Sequence, residues 1–457
     1  MEFRFERALL PDGIARDVLL EVDAAGLIER IGPARASGTN APRLHRGLAL
    51  PGMPNLHSHA FQRAMAGSAE VAAGAERSFW GWREVMYRFV ERLAPEDVEA
   101  IAAFLYVEML EAGYTAVAEF HYLHHDPAGR PYADTATMAA AVRGGAEASG
   151  LRQLLLPSLY QHGNFGGAPL AGAQLRFKHD TDGFLRLFAK LHAGDAGLRR
   201  TGVAFHSLRA VDPPALAAVA RAVKEAGAPL HIHVAEQVRE VEDCLRWSGQ
   251  RPVEYLLGTG LVDERWCLVH ATHVTRAELA GIAKAGAVVG LCPTTEGNLG
   301  DGRFALDELL ERGGRFGVGS DSQVSVDPRE ELRSAEYTLR LWRERRAVAL
   351  ADGDAHSGTA LYSRAVAGGA QALGYAGAGL SVGAPADFVL IDTDRAEFAG
   401  CSEQALVDAY VFAPRPGAIA AVWVGGVERV VDGRHRDREP IAARYRASLA
   451  RLTAECA

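Results

Sequence analysis

Residues 48–63 read LALPGMPNLHSHAFQR, and the reading of this stretch decides the fold. An apolar run broken once, at Pro51-Gly52, ends abruptly in His57, Ser58 and His59. In an extended chain, residues two apart point to the same side, so both imidazoles sit together at a strand end. A lone HxH is weak evidence for a metal. Its meaning depends on whether the rest of the chain supplies further ligands to the same place.

The pattern of a strand-like run ending in polar residues recurs eight times. After the first come YTAVAEFHYL, RQLLLPSLYQ, TGVAFHSLRA, APLHIHVAEQ, WCLVHATH, AVVGLCPTTE and RFGVGSDSQ. Helix-like segments such as PEDVEAIAAFLYVEMLEAG and DPPALAAVARAVKEAG lie between them, several closing on Gly as helix C-termini do. Eight βα units predict a (β/α)₈ TIM-type barrel over 51–378. Two longer connections, 126–145 and 161–182, fall where barrel loops commonly carry function. Alternating patterns at both ends, RDVLLEVDAAGLIERIG and then GAPADFVLIDTD with IAAVWVGGVERVVDGRH, predict one small β-sandwich domain shared by residues 1–50 and 379–457.

Composition narrows the function. The 457 residues are 48% hydrophobic and 23% charged, as expected of a large globular chain, and the net charge of −8 with no basic stripe argues against a nucleic-acid partner. No apolar leader and no run long enough to span a bilayer is evident, so no membrane association is expected. Five scattered cysteines without a CxxC fit free thiols in the cytoplasm.

In such a barrel, catalytic groups sit at the C-terminal ends of the strands. Those ends offer His57 and His59, then Glu119, His121 and Tyr122, then His206 and Arg209. The fifth offers His231, His233 and Glu236, the sixth His270 and His273, the eighth Asp321. Any one of them is compatible with a structural histidine or a surface carboxylate; so many at one end of one barrel are not. Zinc takes nitrogen and oxygen ligands with one position open. His57, His59, Asp321 and one fifth-strand histidine supply that shell, and spacing alone leaves His231 and His233 as alternatives.

The joint set HSH, HVAE, VHATH and GSDS resembles the deaminase branch of the amidohydrolase superfamily. The resemblance runs the length of the chain. It implies that His233, three residues before Glu236, is the metal ligand, that Glu236 shuttles protons, and that His231 is a supporting residue. Two-metal members of the superfamily commonly carry a carboxylated lysine on the fourth strand. The chain has four lysines, Lys178, Lys190, Lys224 and Lys284, none of them there, so one divalent ion, zinc by default, is expected. Water activated by that ion would attack a C=N carbon while Glu236, with His270 and Asp321, handles protons. His273 reads as a loop residue, and Cys292 as a small buried thiol with no part in such chemistry. Glu296 and Asn298 read as shaping a loop over the site.

For the substrate, His206 and Arg209 stand three apart at the fourth strand's end, where an arginine can grip a carboxylate with two hydrogen bonds. Gln62, Tyr122 and Arg83, the last in an aromatic segment SFWGWREVMYRF, complete a collection suited to a small acid. The strings NLHSHAFQR, EFHYLHH, FHSLRAV, CPTTEGNLGDG and GSDSQVSVDP are similar to the iminohydrolase family that acts on N-formimino-L-glutamate in histidine degradation. That resemblance implies a small dicarboxylate substrate held by Gln62, Arg83, Tyr122, His206 and Arg209, release of ammonia, and a homodimer. The alternatives are a nucleobase or nucleoside deaminase, a ring-opening hydrolase of imidazolone propionate, and a barrel without catalysis. Arg209 with His206 speaks against the first, and the full set of ligands and proton carriers against the last.

Overall fold

A computed structural model describes residues 1–34, 42–68, 70, 79–413 and 416–454. Eight parallel strands close on themselves: β1 (Met53–Ser58), β2 (Tyr114–His121), β3 (Arg152–Leu159), β4 (Val203–Ser207), β5 (Leu230–Val234), β6 (Trp266–His270), β7 (Val288–Leu291) and β8 (Arg315–Val318). Each pairs with the next, and Val318 of β8 pairs with Asn55 of β1 to complete the ring. The fourth strand is preceded by a short separate piece, Arg199–Thr201, which also pairs with β3. The interruption falls at Gly202, where a Cβ would lie 2.7 Å from the carbonyl oxygen of Pro229. Nearly every barrel-strand residue is buried, as a parallel sheet covered by helices requires.

The helices follow from local signals. Pro95–Ala112 begins with Pro at its first position, where its missing N–H costs nothing, and the Asp97 carboxylate accepts from the Ala94 amide at 3.1 Å. It ends at Gly113, whose φ of 101° only glycine adopts without strain. The connection expected over 126–145 is shorter in the structure, because a helix, Thr137–Ser149, already occupies its second half. The connection after β3 holds a 3₁₀ turn, Gly172–Phe177. From that turn Arg176 donates to the carbonyls of His125 (3.0 Å), Leu93 (2.8 Å) and Val90. One buried guanidinium thus fastens both long connections to the end of helix Phe79–Val90.

Strands from the two termini form one hydrogen-bonded sheet of eight. Its centre is Leu44–Pro51 between Glu2–Leu10 and Phe388–Ile391. The sandwich expected from the sequence is built by this one sheet curling over: Leu27 bridges Pro385, and the Ile28 amide donates to the Ala384 carbonyl at 2.9 Å. Phe3, Phe5, Phe388 and Trp423 pack inside the curl, with the Phe388 and Trp423 rings stacked at 5.0 Å. The buried pair Arg152–Asp387, two parallel bonds of 2.8 and 2.9 Å, joins this sheet to β3 of the barrel. The chain's last described element, however, is a helix, Arg438–Ala454, which leaves the sheet and lies on Pro95–Ala112. There Tyr445 stacks on Phe104 at 4.3 Å.

Candidate active site at the mouth of the barrel

The C-terminal ends of the strands are laced together by backbone bonds. The Asp321 amide donates to the His57 carbonyl at 3.0 Å, and the His59 amide to the Asp321 carbonyl at 3.2 Å. Asn55 ties β1 to the turn after β8, donating to Ser320 Oγ at 2.6 Å and accepting from its amide at 3.2 Å. The approach is so close that a Cβ on Gly319 would sit 2.7 Å from the His57 carbonyl oxygen. Ser58, between the two histidines, donates to the buried Glu119 at 2.7 Å, and Gln323 donates to Ser58 at 3.0 Å. Ala235, His270, Ala271 and Asp321 have φ of 52°, 66°, 48° and 46°. Left-handed backbone at non-glycine residues costs about 1–3 kcal/mol each and persists where the surroundings impose it, commonly at functional sites.

Three imidazoles and one carboxylate converge. Nε2 of His233 lies 3.0 Å from Nε2 of His57 and 3.3 Å from Nε2 of His59. Asp321 Oδ1 is 3.4 and 3.5 Å from the Nε2 atoms of His57 and His59. The Nδ1 of His59 meets the Phe120 carbonyl and that of His233 the His206 carbonyl, each at 2.8 Å. A carbonyl only accepts, so both rings carry their proton on Nδ1 and turn bare lone pairs toward each other at Nε2. Lone pairs facing at these distances repel unless a cation lies between them. These four separations, 3.0–3.5 Å, are near the edge of about 3.3 Å of a tetrahedron with bonds of about 2.0–2.1 Å, the zinc–nitrogen distance. The donor set therefore fits a divalent metal ion. His231, by contrast, sits two residues down β5 and meets the Ala372 carbonyl at 2.9 Å, away from the cluster.

Around this centre stand the titratable groups. His270 Nε2 is 3.7 Å from Asp321 Oδ2 and 3.9 Å from Glu236 Oε1, and its Nδ1 is 3.2 Å from Glu296. Burial pushes the Glu236 carboxyl up to about 7 against the opposing pull of His270. Burial also works against the charge on Asp321, yet the His57 hydrogen bond and the surrounding imidazoles hold it well below the usual carboxylate range. His270 is raised to about 10, because Glu236, Glu296 and Asp321 together outweigh its burial. Glu236 is itself fixed: both oxygens of Glu240 accept backbone amides, from Ala235 at 3.2 Å and Glu236 at 3.1 Å.

A cavity opens onto this cluster. Gln62, Arg83, Tyr122, His206 and Arg209 all line it, with His59, His233, Glu236, His270 and Asp321. His57 lies beneath, fully buried. Gln62 donates to the Tyr122 hydroxyl at 3.0 Å, while among the described residues no donor reaches its own buried Oε1. Arg209 is 8% exposed, and neither it nor Arg83 has a carboxylate within ion-pair distance among the described residues. Both guanidiniums instead approach the Trp80 ring, Arg83 at 4.4 Å and Arg209 at 5.7 Å. His273 meets the Asp301 carbonyl at 2.8 Å, outside the cavity lining. Sequence reasoning passed over three neighbours. Tyr160 and Phe177 form cavity walls that only the folded connections bring in, and Glu296, read as loop-shaping, touches His270.

Residues 48–429 match the amidohydrolase family. Over 448 residues, 98% of each chain, the sequence is 49% identical to formimidoylglutamate deiminase of Pseudomonas aeruginosa. Over 391 residues it is 28% identical to the 5-methylthioadenosine/S-adenosylhomocysteine deaminase of Natronomonas pharaonis, covering 85% of this chain and 82% of that one. An amidohydrolase from Brucella melitensis has the same fold, with a TM-score of 0.93, 46% identity and 99% of each chain covered. The converging histidines, the barrel that presents them and these likenesses agree: this chain belongs to the amidohydrolase family.

Proposed function

We propose that this chain is a formimidoylglutamate deiminase, a hydrolase that converts N-formimino-L-glutamate and water to N-formyl-L-glutamate and ammonia in histidine degradation. The single observation that carries the substrate is the pair Arg83 and Arg209. Neither lies within ion-pair distance of a carboxylate among the described residues, and both share one cavity with a metal-type donor set, which suits a ligand bearing two carboxylates. The likeness to the Pseudomonas deiminase over the whole chain supports the same reading.

The family is metal-dependent, and His57, His59, His233 and Asp321 are the residues that would hold one zinc ion. Such an ion supplies Lewis acidity and eases ionisation of water at the site. The chain's own groups do the rest. Arg83 and Arg209 orient the two carboxylates, Tyr122 and His206 flank the substrate, and Gln62 Oε1 accepts from a formimino N–H. Burial keeps His206 neutral, with Arg209 adding to the effect. Asp321, held ionised, takes the proton drawn from water, and His270, charged beside it at 3.7 Å, steadies the carboxylate. Glu236, whose carboxyl sits near neutrality, passes a proton to the departing nitrogen. The C–N bond to the terminal nitrogen breaks, a C=O bond forms, and ammonia leaves.

Residues 1–50 and 379–457 are assigned to the terminal domain around a 51–378 barrel, with the last helix packed on the barrel side. The resemblance implies a homodimer, and the scattered free cysteines support a cytoplasmic setting. The described part contains no helix long and apolar enough to cross a membrane. Ammonia release by zinc-loaded protein is the test. Turnover of N-formimino-L-glutamate, with guanine, cytosine and adenosine untouched, is expected; turnover of a nucleobase alone would move the reading to that branch.

A further inference from the structure

We propose that Glu296 is a positioning residue that holds the His270 ring so that Nε2 faces the reaction centre. The inference rests on the role given to His270 above.

Glu296 lies on the helix Pro293–Leu299 that follows β7, and it is 6% exposed. Its Oε1 accepts from the Cys292 amide at 2.9 Å, so the carboxylate is fixed to the backbone at the end of β7. The same Oε1 lies 3.2 Å from His270 Nδ1. A carboxylate only accepts, which places a proton on Nδ1 and leaves Nε2 as the atom directed at Asp321 and Glu236. His270 needs such an anchor, since its backbone and that of Ala271 are both left-handed and its ring is packed on one side by the parallel His233 ring at 5.6 Å. The helix carrying Glu296 is itself tethered: Glu331 accepts from the Thr294 amide at 2.9 Å and from its hydroxyl at 2.6 Å. The order of support is therefore Glu331 to the helix, Glu296 to the ring, and the ring to the centre.

Among the described residues no hydrogen bond reaches Glu296 Oε2. A glutamine can keep the acceptor at Oε1 and place its NH₂ where no donor is displaced, whereas alanine removes the anchor. Partners that orient metal-bound histidines typically contribute about 10- to 100-fold in activity, and an effect of the same order is expected for this ring. The test uses full-length zinc-loaded protein and measures kcat and KM for ammonia release. E296A should lower kcat about 10- to 100-fold, with KM within threefold and metal content unchanged, and E296Q should regain at least fivefold of that loss. In an H270N background, E296A should remove less than a further twofold, because residues acting through one another do not add. A kcat for E296A within threefold of the parent, a loss carried by KM, no regain in E296Q, or additive losses would overturn the proposal. If E296A is insoluble, E296Q against E296L carries the same comparison. The parent's own turnover of N-formimino-L-glutamate is measured first. Its absence would refute the proposed function, while an active parent with indifferent Glu296 variants would refute this inference alone.

Discussion

Replacing Arg209 with methionine separates substrate binding from folding. Arg209 is nearly buried at the end of β4, makes no ion pair within the described chain, and faces the cavity that holds Glu236. A hydrogen-bonded contact between ionised groups contributes about 1.5–3 kcal/mol, and about 1.4 kcal/mol is tenfold in affinity, so R209M should raise KM by about 10- to 150-fold. In the proposed pose Arg209 would grip a carboxylate remote from the bond that breaks, so the loss should fall on ground and transition states alike and kcat should change little. Stability should move the other way. A nearly buried cation with no ion pair among the described residues is a burden to the free protein, only partly offset by its pull on Glu236 and Glu240, and an apolar side chain of similar length relieves it. R209M should therefore melt no lower than the parent. Steady-state kinetics and calorimetry on the same preparation give both answers. A KM within twofold of the parent, or a Tm lowered by several degrees, would refute the reasoning that Arg209 is kept for a substrate anion.

Four further outcomes follow from the same structure. E236Q should lower kcat by about 10²- to 10⁴-fold, the usual worth of general acid–base catalysis, with KM and bound metal little changed in parallel kinetic and metal analyses. R152M should destabilise by about 3–5 kcal/mol by leaving Asp387 buried and unpaired, and R152M/D387L should recover part of that in chemical denaturation. His179 is pushed down to about 4, chiefly by burial and then by His125. The unfolded chain takes up this proton below about 6.5 while the folded one refuses it, so its contribution is present above pH 6.5 and lost as pH falls to 4. The loss is roughly 3 kcal/mol at 1.4 per unit, and H179Q should show less acid sensitivity in unfolding titrations. Chelation should lower both activity and Tm, because the facing lone pairs of His59 and His233 then repel; re-addition of zinc should restore both.

The barrel was legible because each apolar run ends in a cluster of polar residues, and strand periodicity then places His57 and His59 together. The choice between His231 and His233 was not, since both share a face of β5. Only their height on the strand separates them, and that depends on where helix Ser357–Ala372 ends against His231. The cavity walls were half legible. Arg83 lay in a recognisable aromatic segment, but Tyr160 and Phe177 reach the site through irregular connections fastened by Arg176, which no local pattern encodes. The terminal β domain could be read from alternation, whereas helix Arg438–Ala454 escaped notice: its small and charged residues make a weak apolar face, and it is stabilised by packing on another helix. Glu296 was seen as loop chemistry because its partner is 26 positions away.

The most direct test of the account is identification of both products from isotopically labelled N-formimino-L-glutamate by NMR. One ammonia is expected for each N-formyl-L-glutamate, with the glutamate–nitrogen bond intact. Glutamate and formamide instead, or no reaction by the zinc-loaded protein, would contradict it.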